Sequence, residues 1–539
     1  MFPTTVITIE QYFSLRKFIF NLTFVNYWRL HMETLLEKNL QRHYQIIKFL
    51  IYRDWEKIST ISKFTQISES TIRKSIRDIN RYISPAKLES SKQLGVRLIL
   101  MPDQNPFFIF SALYNQSARF SILEEIFLSR HTNLTSLADH LFLSISTLKR
   151  NIGTINELLA PFDFHIDCTY MDIIGDERKI CWFYFCYLIE KYGLIEKVIT
   201  ENDVELMDEV MQEFMDCYPF LQTPARQTYS YVNKFRTMLF INFLRIHRGH
   251  LLPSQSQNDQ KHGFTFSEEL TQKLFQHYHT EITSKSIYRL FYIFFNEKYA
   301  WSMTDLNQKC SLNPKINHLR VAIEKTLNSI VGKENLILSN KEELMLYLYN
   351  ATTYIWGPAK ILYNPNEEFF INLNNYYEGF TQRVKEIINR YFLNNDLPIY
   401  IDDSVINRLL FMVVTSWDSL SDQLEQKSPT IKTGLFFNTS YEHCNFLKED
   451  IMYHLKTRVN VDLIEATSLT SVREKMCKYD LLITNLPSLF VPECTVVSIH
   501  SNPTPKDFEN ILTVYNEIVN NKQDFDLSIV QKQNSIYKY

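Results

Sequence analysis

One segment of the chain is present twice, and the two copies limit what the first third of the chain can fold into. The copies are Ser68–Pro85 and Ser144–Pro161, which align without gaps at an offset of 76 residues. The positions that keep the same residue are Ser68/Ser144, Ser70/Ser146, Thr71/Thr147, Ile76/Ile152, Ile79/Ile155, Asn80/Asn156 and Pro85/Pro161. Such a match predicts two copies of one supersecondary unit.

Each copy has the pattern of a DNA-reading helix. Apolar residues recur at helical spacing and predict one buried face. These residues are Ile72, Ile76 and Ile79 in the first copy and Leu148, Ile152 and Ile155 in the second. A surface helix can show this pattern once, so the prediction depends on both copies sharing one register. In helix-turn-helix proteins the N-terminal half of the polar face contacts base edges and phosphates. The predicted DNA contacts are Ser70, Thr71, Arg73, Lys74, Arg77, Ser146, Thr147, Lys149 and Arg150.

A short β-rich segment follows each copy and predicts a wing. The first is Ala86–Leu100, with a turn near Lys92–Gly95, and the second is Phe162–Gly175. Pro85 and Pro161 are expected to close the two helices, since proline cannot continue a helix. Lys92 and Arg97 join the predicted DNA contacts. The predicted winged helix-turn-helix modules span residues 32–102 and 103–176, and the second includes a linker helix over Asn105–Arg130.

Charge differs sharply between the two copies. From Lys38 to Met101 there are 13 Lys and Arg against 5 Asp and Glu, a local charge of +8. The whole chain carries −3, so the remainder carries about −11. The second copy, from His131 to Gly175, has a local charge of −3. A basic module on an acidic body suits duplex binding, although a run of charge is often only a solvated face.

Composition excludes several other classes of protein. The chain has 539 residues, of which 45% are hydrophobic and 22% charged, as in ordinary multidomain globular proteins. It has only 10 glycines and no glycine-rich phosphate loop. Its eight cysteines are scattered without a C-x-x-C pair, which predicts a reducing cytoplasm and no metal site. We predict no cofactor, no secretion signal and no association with membranes.

In the rest of the chain, the spacing of apolar residues changes from a helical pattern to short β-rich runs near the C-terminal end. Residues 177–420 are patterned as helices, among them Ser286–Glu297 and Asn375–Phe392, and we predict two bundles over residues 177–300 and 301–425. Short apolar β-rich runs then alternate with helices, which predicts a small parallel α/β domain over residues 430–521. The polar tail, residues 522–539, is expected to be loose. Met32 precedes a helix predicted over Glu33–Tyr52, so we interpret residues 1–31 as an extension upstream of the natural start.

This order of parts resembles the Mga-type family of virulence regulators of Gram-positive cocci and bacilli, which includes the anthrax toxin activator. The resemblance is strongest in Leu143–Phe162 and in the Ser68–Ile83 helix. It implies a mostly helical multidomain protein in which both bundles are regulation domains of the sugar phosphotransferase system (PTS) and the last domain is like enzyme IIB. It further implies a DNA-binding activator that forms homodimers through its C-terminal domain. The partners implied are double-stranded promoter DNA, PTS phosphocarrier proteins and RNA polymerase.

The phosphate-accepting residues are less clear from the sequence. His247, His250 and His318 are candidate acceptors, because a partly exposed imidazole beside Arg245 or Arg248 would hold a phosphoryl group electrostatically. The reading of each as an ordinary surface or capping histidine stays open. An enzyme IIB that carries phosphate needs a cysteine just after its first strand. Here the loop reads Asn-Thr-Ser-Tyr (residues 438–441), so we predict an interaction surface, with the later Cys444 structural.

Two other functions remain as alternatives. One is a phosphotransferase component or phosphocarrier, and the other is an RNA-binding antiterminator built on the same bundles. The sequence predicts no catalytic group, because Asp402-Asp403 and Glu367-Glu368 suit caps or solvated faces, and His277 and His279 suit the surface. We predict a dimer that places its basic first modules on a promoter, with the second modules adding contacts or bending the DNA. The helical bundles would couple nutrient status to dimer formation.

Overall fold

The computed structural model describes residues 32–129, 131, 133–218, 221, 227–252, 263–393, 397–466, 468–487, 489, 491–492 and 494–519. The predicted extension (residues 1–31) and tail (residues 522–539) lie outside these residues. The described residues form two compact units. The first unit contains residues 32–312, 350–364 and 398–405, and the second contains residues 313–349, 365–397 and 406–519.

The first unit begins with a three-helix module that ends in a β-hairpin. Its elements are a 3₁₀ turn (Met32–Leu35), α1 (Lys38–Leu50), α2 (Ile58–Thr65), α3 (Glu69–Tyr82), β1 (Lys87–Ser91) and β2 (Gly95–Ile99). The helix predicted over Glu33–Tyr52 is therefore a turn followed by a shorter helix. Strands β1 and β2 pair antiparallel, as the wing prediction requires. Gly95 has a φ of +107°, and a Cβ atom there would lie 2.1 Å from the Glu56 carbonyl oxygen, so this close approach requires glycine.

A second module of the same type follows. Its elements are α4 (Pro106–Gln116), α5 (Ala118–Leu128), α6 (Leu134–His140), α7 (Ile145–Leu159), β3 (Phe164–Asp167) and β4 (Asp172–Gly175). The single linker helix predicted over Asn105–Arg130 is wrong, because Ser117 leaves the helical conformation between α4 and α5. Its hydroxyl oxygen accepts a hydrogen bond from the Phe120 N–H at 3.3 Å and caps α5, while the hydroxyl group donates to Glu37 at 2.9 Å.

Further helices complete the first unit, and α8 to α13 are called here the first helical set. They are α8 (Glu177–Tyr192), α9 (Glu201–Cys217), α10 (Tyr229–His247), α11 (Glu268–Tyr278), α12 (Ser284–Leu290), α13 (Tyr292–Phe295) and α14 (Met303–Leu312). An aromatic core holds the set together, with the Phe214 and Phe291 rings stacked at 3.8 Å. The helix predicted over Ser286–Glu297 is two short helices, and α14 was not predicted.

Residues 350–364 return to the first unit although they follow its helices by many positions. The buried Glu190 carboxylate binds this segment by accepting hydrogen bonds from the N–H groups of Ile361, Leu362 and Tyr363 at 2.6 to 2.9 Å. The Tyr114 hydroxyl donates a fourth bond to it at 2.8 Å. Because residues 301–312, 350–364 and 398–405 belong to the first unit, the predicted second bundle (residues 301–425) has residues in both units. The predicted domain boundaries stay predictions.

The second unit combines helices with a parallel sheet. Its helical part includes α15 (Pro314–Glu334), α16 (Lys341–Thr353), α17 (Pro365–Phe392), α18 (Asp403–Ser416) and α19 (Leu420–Lys427). Helices α16 and α18 each extend into the first unit by a few residues. Helix α17 starts ten residues before the predicted Asn375–Phe392 helix and is broken at Tyr377, whose φ is −141°. Arg383 joins α17 to α15 through two hydrogen bonds to Glu334, at 2.7 and 2.8 Å.

The predicted α/β region is confirmed as a small parallel sheet. Its elements are β5 (Ile431–Phe436), α20 (Tyr441–Leu455), β6 (Val459–Leu463), α21 (Leu469–Met476), β7 (Leu481–Thr484), β8 (Thr495–Ser498) and a helix over residues 505–519. The four strands are all parallel and lie in the order β6-β5-β7-β8. Across the described ranges, no helix combines the length and the apolar character needed to span a bilayer.

Candidate nucleic-acid interface

The helices α3 and α7, called here the recognition helices, begin in the same way. Ser68 caps α3 by accepting a hydrogen bond from the Thr71 N–H at 3.3 Å, and Ser144 caps α7 from the Thr147 N–H at 3.1 Å. The hydroxyls of Ser70 and Ser146 lie 3.1 and 3.0 Å from those capping oxygens, and those of Thr71 and Thr147 lie at 2.8 and 2.9 Å. These hydroxyls sit at the positive end of the helix dipole, where phosphates bind.

The apolar face predicted for each recognition helix is buried. None of its six residues is more than 6% exposed: Ile72, Ile76, Ile79, Leu148, Ile152 and Ile155. The preceding turn also matches, since Gln66 and Phe142 occupy equivalent positions and both have positive φ, at 58° and 54°. The repeat in the sequence is therefore a repeat in structure. Both reading faces point away from the cores that hold them.

The first recognition helix presents several exposed basic residues, among them the predicted contacts Arg73, Lys74 and Arg77. Arg73 forms an exposed ion pair with Glu69 at 3.0 Å, one turn earlier, and such surface pairs are weak. Lys74 and Arg77 have neither a hydrogen-bond nor an ion-pair partner within the residues that the structure describes. Their positive charges are therefore available to a ligand. A DNA duplex is the ligand that this arrangement fits best, because the phosphates of a duplex bind well to exposed cations near a helix N-terminus.

The second recognition helix presents fewer cations. Lys149 and Arg150 are exposed at the positions of Arg73 and Lys74, but Gly153 replaces Arg77. Exposed apolar residues lie at the start of the helix instead: Phe142, which precedes it, is 96% exposed, and Ile145, its first residue, is 43% exposed. The second module therefore offers apolar contact surface where the first offers charge.

The two wings differ as the two recognition helices do, with basic residues in the first and an exposed aromatic residue in the second. Lys92 lies exposed at the tip of the first wing. Arg97 is engaged within the module, where it bonds Glu89 at 2.9 Å and lies 4.5 Å from the Trp55 ring centroid. The second wing has no lysine or arginine, and its tip carries Tyr170 with 75% of the residue exposed.

Acidic character adds to this difference in the second wing. The backbone N–H groups of Tyr170 and Thr169 donate to the Asp167 carboxylate at the wing tip, and they hold the pKa of Asp167 below its usual range. That carboxylate is therefore negative at neutral pH. Phosphates are repelled by such a group, so the first wing suits a duplex better than the second.

The asparagine shared by the two copies has a role that sequence reasoning missed. Asn80 donates to the Leu88 carbonyl at 3.0 Å and accepts from the Leu88 N–H at 2.7 Å. Asn156 repeats both bonds with Ile166, at 2.9 and 2.8 Å. Each asparagine thus fixes its recognition helix to the first strand of its wing. Its conservation between the copies was the available signal.

The candidate phosphate acceptors lie in different surroundings. The imidazole of His247 lies 2.8 Å from the Thr280 hydroxyl. In His250, Nε2 lies 2.8 Å from Asp172 and Nδ1 lies 3.5 Å from Glu177, so both nitrogens face carboxylates. His318 is exposed on α15, and within the described chain its side chain has no hydrogen-bond partner.

A buried ionic cluster surrounds His250. Arg245 is fully buried and donates to Asp172 at 2.9 Å, to the Ile173 carbonyl at 2.8 Å and to both oxygens of Glu177. Burial opposes the ionisation of Asp172, but the bond to His250 and the charge of Arg245 outweigh it and hold its pKa well below the usual range. Arg248 also binds Asp172, at 3.1 Å. The cluster joins the second wing, which contains Asp172, to the first helical set.

The loop after β5 does not supply the chemistry of a phosphate carrier. Its Ser440 caps α20. Cys444 lies within that helix, one turn after the cap, as predicted. Burial raises the pKa of the Cys444 thiol, which disfavours the reactive thiolate.

Asp402 caps α18 by accepting a hydrogen bond from the Val405 N–H at 3.0 Å, and His277 bonds Asp203 at 2.7 Å. Within the described ranges, no three His, Cys, Asp or Glu side chains are placed to hold a metal ion.

Comparison with known proteins agrees with this geometry. Residues 28–97 and 104–188 match the Mga helix-turn-helix domain. The chain is 23% identical over 470 residues to a trans-acting regulator of Streptococcus pneumoniae serotype 4, covering 84% of this chain and 93% of that protein. It is 26% identical over 356 residues to the capsule synthesis positive regulator AcpA of Bacillus anthracis, covering 63% and 66%. It is 20% identical over 493 residues to the anthrax toxin expression trans-acting positive regulator, covering 88% and 98%.

Proposed function

We propose that the chain is a DNA-binding transcriptional regulator of the Mga type, which activates promoters to which its first module anchors it. The observation that carries this proposal is the pair Lys74 and Arg77, exposed and unpaired within the described chain on the first recognition helix. Neighbouring positive charge on the same module, a local +8, supports the anchoring role. Activation is suggested by the positive regulators among its relatives.

The second module has a different part in this proposal. Its exposed Phe142 and Tyr170 are suited to apolar contact with bases or with sugar edges. Aromatic wedges between base steps bend DNA in many architectural proteins. We propose that the second module adds such contacts and bends the promoter, with Lys149 and Arg150 supplying the phosphate contacts beside them. RNA polymerase is the partner that the bent promoter would serve.

Homodimer formation through the C-terminal sheet domain is the next part of the proposal. Helix α20 exposes an apolar face, because Phe446 and Tyr453 lie two turns apart and are 64% and 78% exposed. Met452, 40% exposed, lies beside Tyr453. Exposed apolar faces of this kind mark interaction surfaces. A second copy of the same face is the partner that a C2 dimer would bring.

Replacing Phe446 and Tyr453 together by glutamate is expected to convert the dimer to a monomer, because four like charges would then face each other across an apolar interface. Light scattering after size-exclusion chromatography measures the mass directly. Ile337→Glu, at an apolar residue that is 75% exposed outside the sheet domain, is the control and should stay dimeric. Transcription from the bound promoters should fall with the double variant. A double variant that remains a dimer would remove α20 from the interface.

Phosphorylation by the PTS is the regulatory part of the proposal, with His318 as the preferred acceptor. The carboxylates that face both nitrogens of His250 would repel a phosphoryl group, and the hydroxyl of Thr280 occupies one nitrogen of His247. Radiolabelled phosphate from enzyme I and the phosphocarrier protein is expected to label the chain and to be lost in His318→Ala. His247→Ala and His250→Ala are the matched controls. Label that persists in His318→Ala would assign the acceptor elsewhere.

A further inference from the structure

An irregular segment of the chain lies across both DNA-binding modules. It consists of residues 350–364, called here the strap, which belong to the first unit. Helix α16 ends within the strap, α17 begins directly after it, and residues 354–364 form neither helix nor strand. Residues 313–349 and 365–397, on either side of the strap in the sequence, belong to the second unit. The strap is therefore joined to second-unit helices at both of its ends.

The strap contacts the first module and the second module through adjacent residues. The Tyr44 hydroxyl of α1 donates to the Leu362 carbonyl at 3.1 Å. The Tyr363 ring stacks on Phe110 of α4, with 5.0 Å between the ring centroids and 17° between the planes. The ring centroids of Tyr44 and Phe110 are themselves 5.9 Å apart. The strap thus covers the place where α1 of the first module meets α4 of the second.

Side chains, rather than a helix or a sheet, hold the irregular part of the strap in place. Glu190 accepts hydrogen bonds from the N–H groups of three successive strap residues. Trp182 donates its indole N–H to the Pro358 carbonyl at 2.9 Å, and the Ala359 N–H donates to the Ser404 hydroxyl at 2.9 Å. A segment held in this way can leave its site without breaking the hydrogen bonds of any helix or strand. The strap is therefore suited to two states, bound and released.

The contacts of the strap favour the bound state. Ile361 and Leu362 are each 2% exposed, so release would expose apolar surface. The buried Glu190 carboxylate would keep only the hydrogen bond from Tyr114. Release therefore has a cost, which the helices at the two ends of the strap can offset, since a shift of either helix moves the strap with it.

We propose that the strap regulates DNA binding: bound, it holds the two modules in the relation in which they contact one duplex together, and its release through the second-unit helices weakens that binding. Both recognition helices are exposed while the strap is bound, so this state is able to receive a duplex. Two modules held in a fixed relation bind more tightly than two that move independently, because less freedom is lost on binding. This inference rests on the proposed DNA-binding function.

Hydrogen exchange of the full chain, measured by mass spectrometry with and without a random duplex, tests the coupling. Coupling between two sites is reciprocal, so a duplex that prefers the bound strap must also stabilise it. We expect the duplex to slow exchange both in the first recognition helix and at the N–H groups of residues 361–363. Slower exchange in the recognition helix alone would overturn the strap proposal. No change in that helix would contradict DNA binding by the first module, and the strap proposal with it.

Glu190→Gln is expected to speed exchange at residues 361–363 about tenfold and to weaken duplex binding about three- to tenfold, because a donor replaces one acceptor oxygen. Tyr44→Phe removes the hydroxyl that binds the strap and should change both measurements in the same direction by less, which keeps the test valid if Glu190→Gln does not fold. Tyr184→Phe is the matched control, since it removes a buried hydroxyl that donates to the Leu123 carbonyl at 2.9 Å, and should change neither. Faster strap exchange with unchanged or tighter duplex binding would overturn the proposal.

The role of the second unit is tested by Arg383→Ala. This change removes the two hydrogen bonds to Glu334 that join α17 to α15 within the second unit. We expect faster exchange in α17 and, because α17 follows directly from the strap, faster exchange at residues 361–363 as well. Unchanged exchange in the strap would overturn its release through the second-unit helices.

Discussion

Replacing Lys74 and Arg77 together by alanine is expected to weaken binding to duplex DNA by about 2–3 kcal/mol, roughly 30- to 150-fold in Kd. Both side chains are exposed on the first recognition helix, and in the described chain neither is held by a carboxylate. Their loss therefore removes charge that is available to phosphates or guanine edges. Fluorescence anisotropy with a labelled duplex at near-physiological salt measures the change.

Two further variants make this result specific. Lys325→Ala with Lys333→Ala removes the same charge from exposed positions of α15, and binding should stay within about twofold of the wild type because these lysines are outside both DNA-binding modules and exposed charge is screened by salt. Lys149→Ala with Arg150→Ala should have a smaller effect than the first pair, because the second module carries a local charge of −3. Equal losses from both modules would contradict the anchoring role of the first.

Arg245→Met is expected to destabilise the first unit by about 3–5 kcal/mol, because removing one partner from a buried ionic cluster leaves its carboxylates uncompensated. The Asp172 and Glu177 carboxylates and the Ile173 carbonyl would each lose a donor. Calorimetry should show the thermal transition of the first unit several degrees lower.

Arg289→Met is the matched comparison for this prediction. It removes an equally buried guanidinium, which binds Glu177 at 2.8 Å in the same cluster, but whose Nε and Nη1 atoms have no hydrogen-bond partner among the described residues. Its loss should change the stability of the protein by no more than about 1 kcal/mol, since an apolar residue of similar length avoids the cost of burying unpaired donors. If Arg245→Met and Arg289→Met lowered the transition equally, the difference in their hydrogen bonding would not determine stability.

Local patterns were sufficient to predict most of the secondary structure. The recognition helices were predicted from Ile72, Ile76 and Ile79 and their counterparts, because the helical spacing of apolar residues is a local feature of the sequence. The alternation of β-rich runs with helices likewise predicted the parallel sheet. The prediction of one linker helix was wrong because serine can lie within a helix or cap one. Ser117 caps α5, and in that conformation its hydroxyl group binds Glu37, which lies 80 residues away in the sequence.

Pairing across the fold could not be predicted in the same way. Arg97 has the charge expected of a phosphate contact. In the folded module, however, it donates a hydrogen bond to Glu89 and lies over the Trp55 ring. His250 was a candidate acceptor beside Arg245, but Asp172, which faces it, lies 78 residues earlier. The two unpaired nitrogens of Arg289 depend on helices whose packing no local pattern specifies. Such neighbours are set by tertiary structure alone.

The most direct test of promoter anchoring is the salt dependence of binding to a random duplex, measured for the wild type and for Lys74→Ala with Arg77→Ala. The slope of log K against log salt reports the number of phosphates neutralised, at about 0.9 for each phosphate. We expect a steep slope for the wild type and a slope shallower by about 0.9 for every phosphate contact that the double variant loses. Identical slopes, or a wild-type chain whose binding does not respond to salt, would contradict anchoring by the first recognition helix.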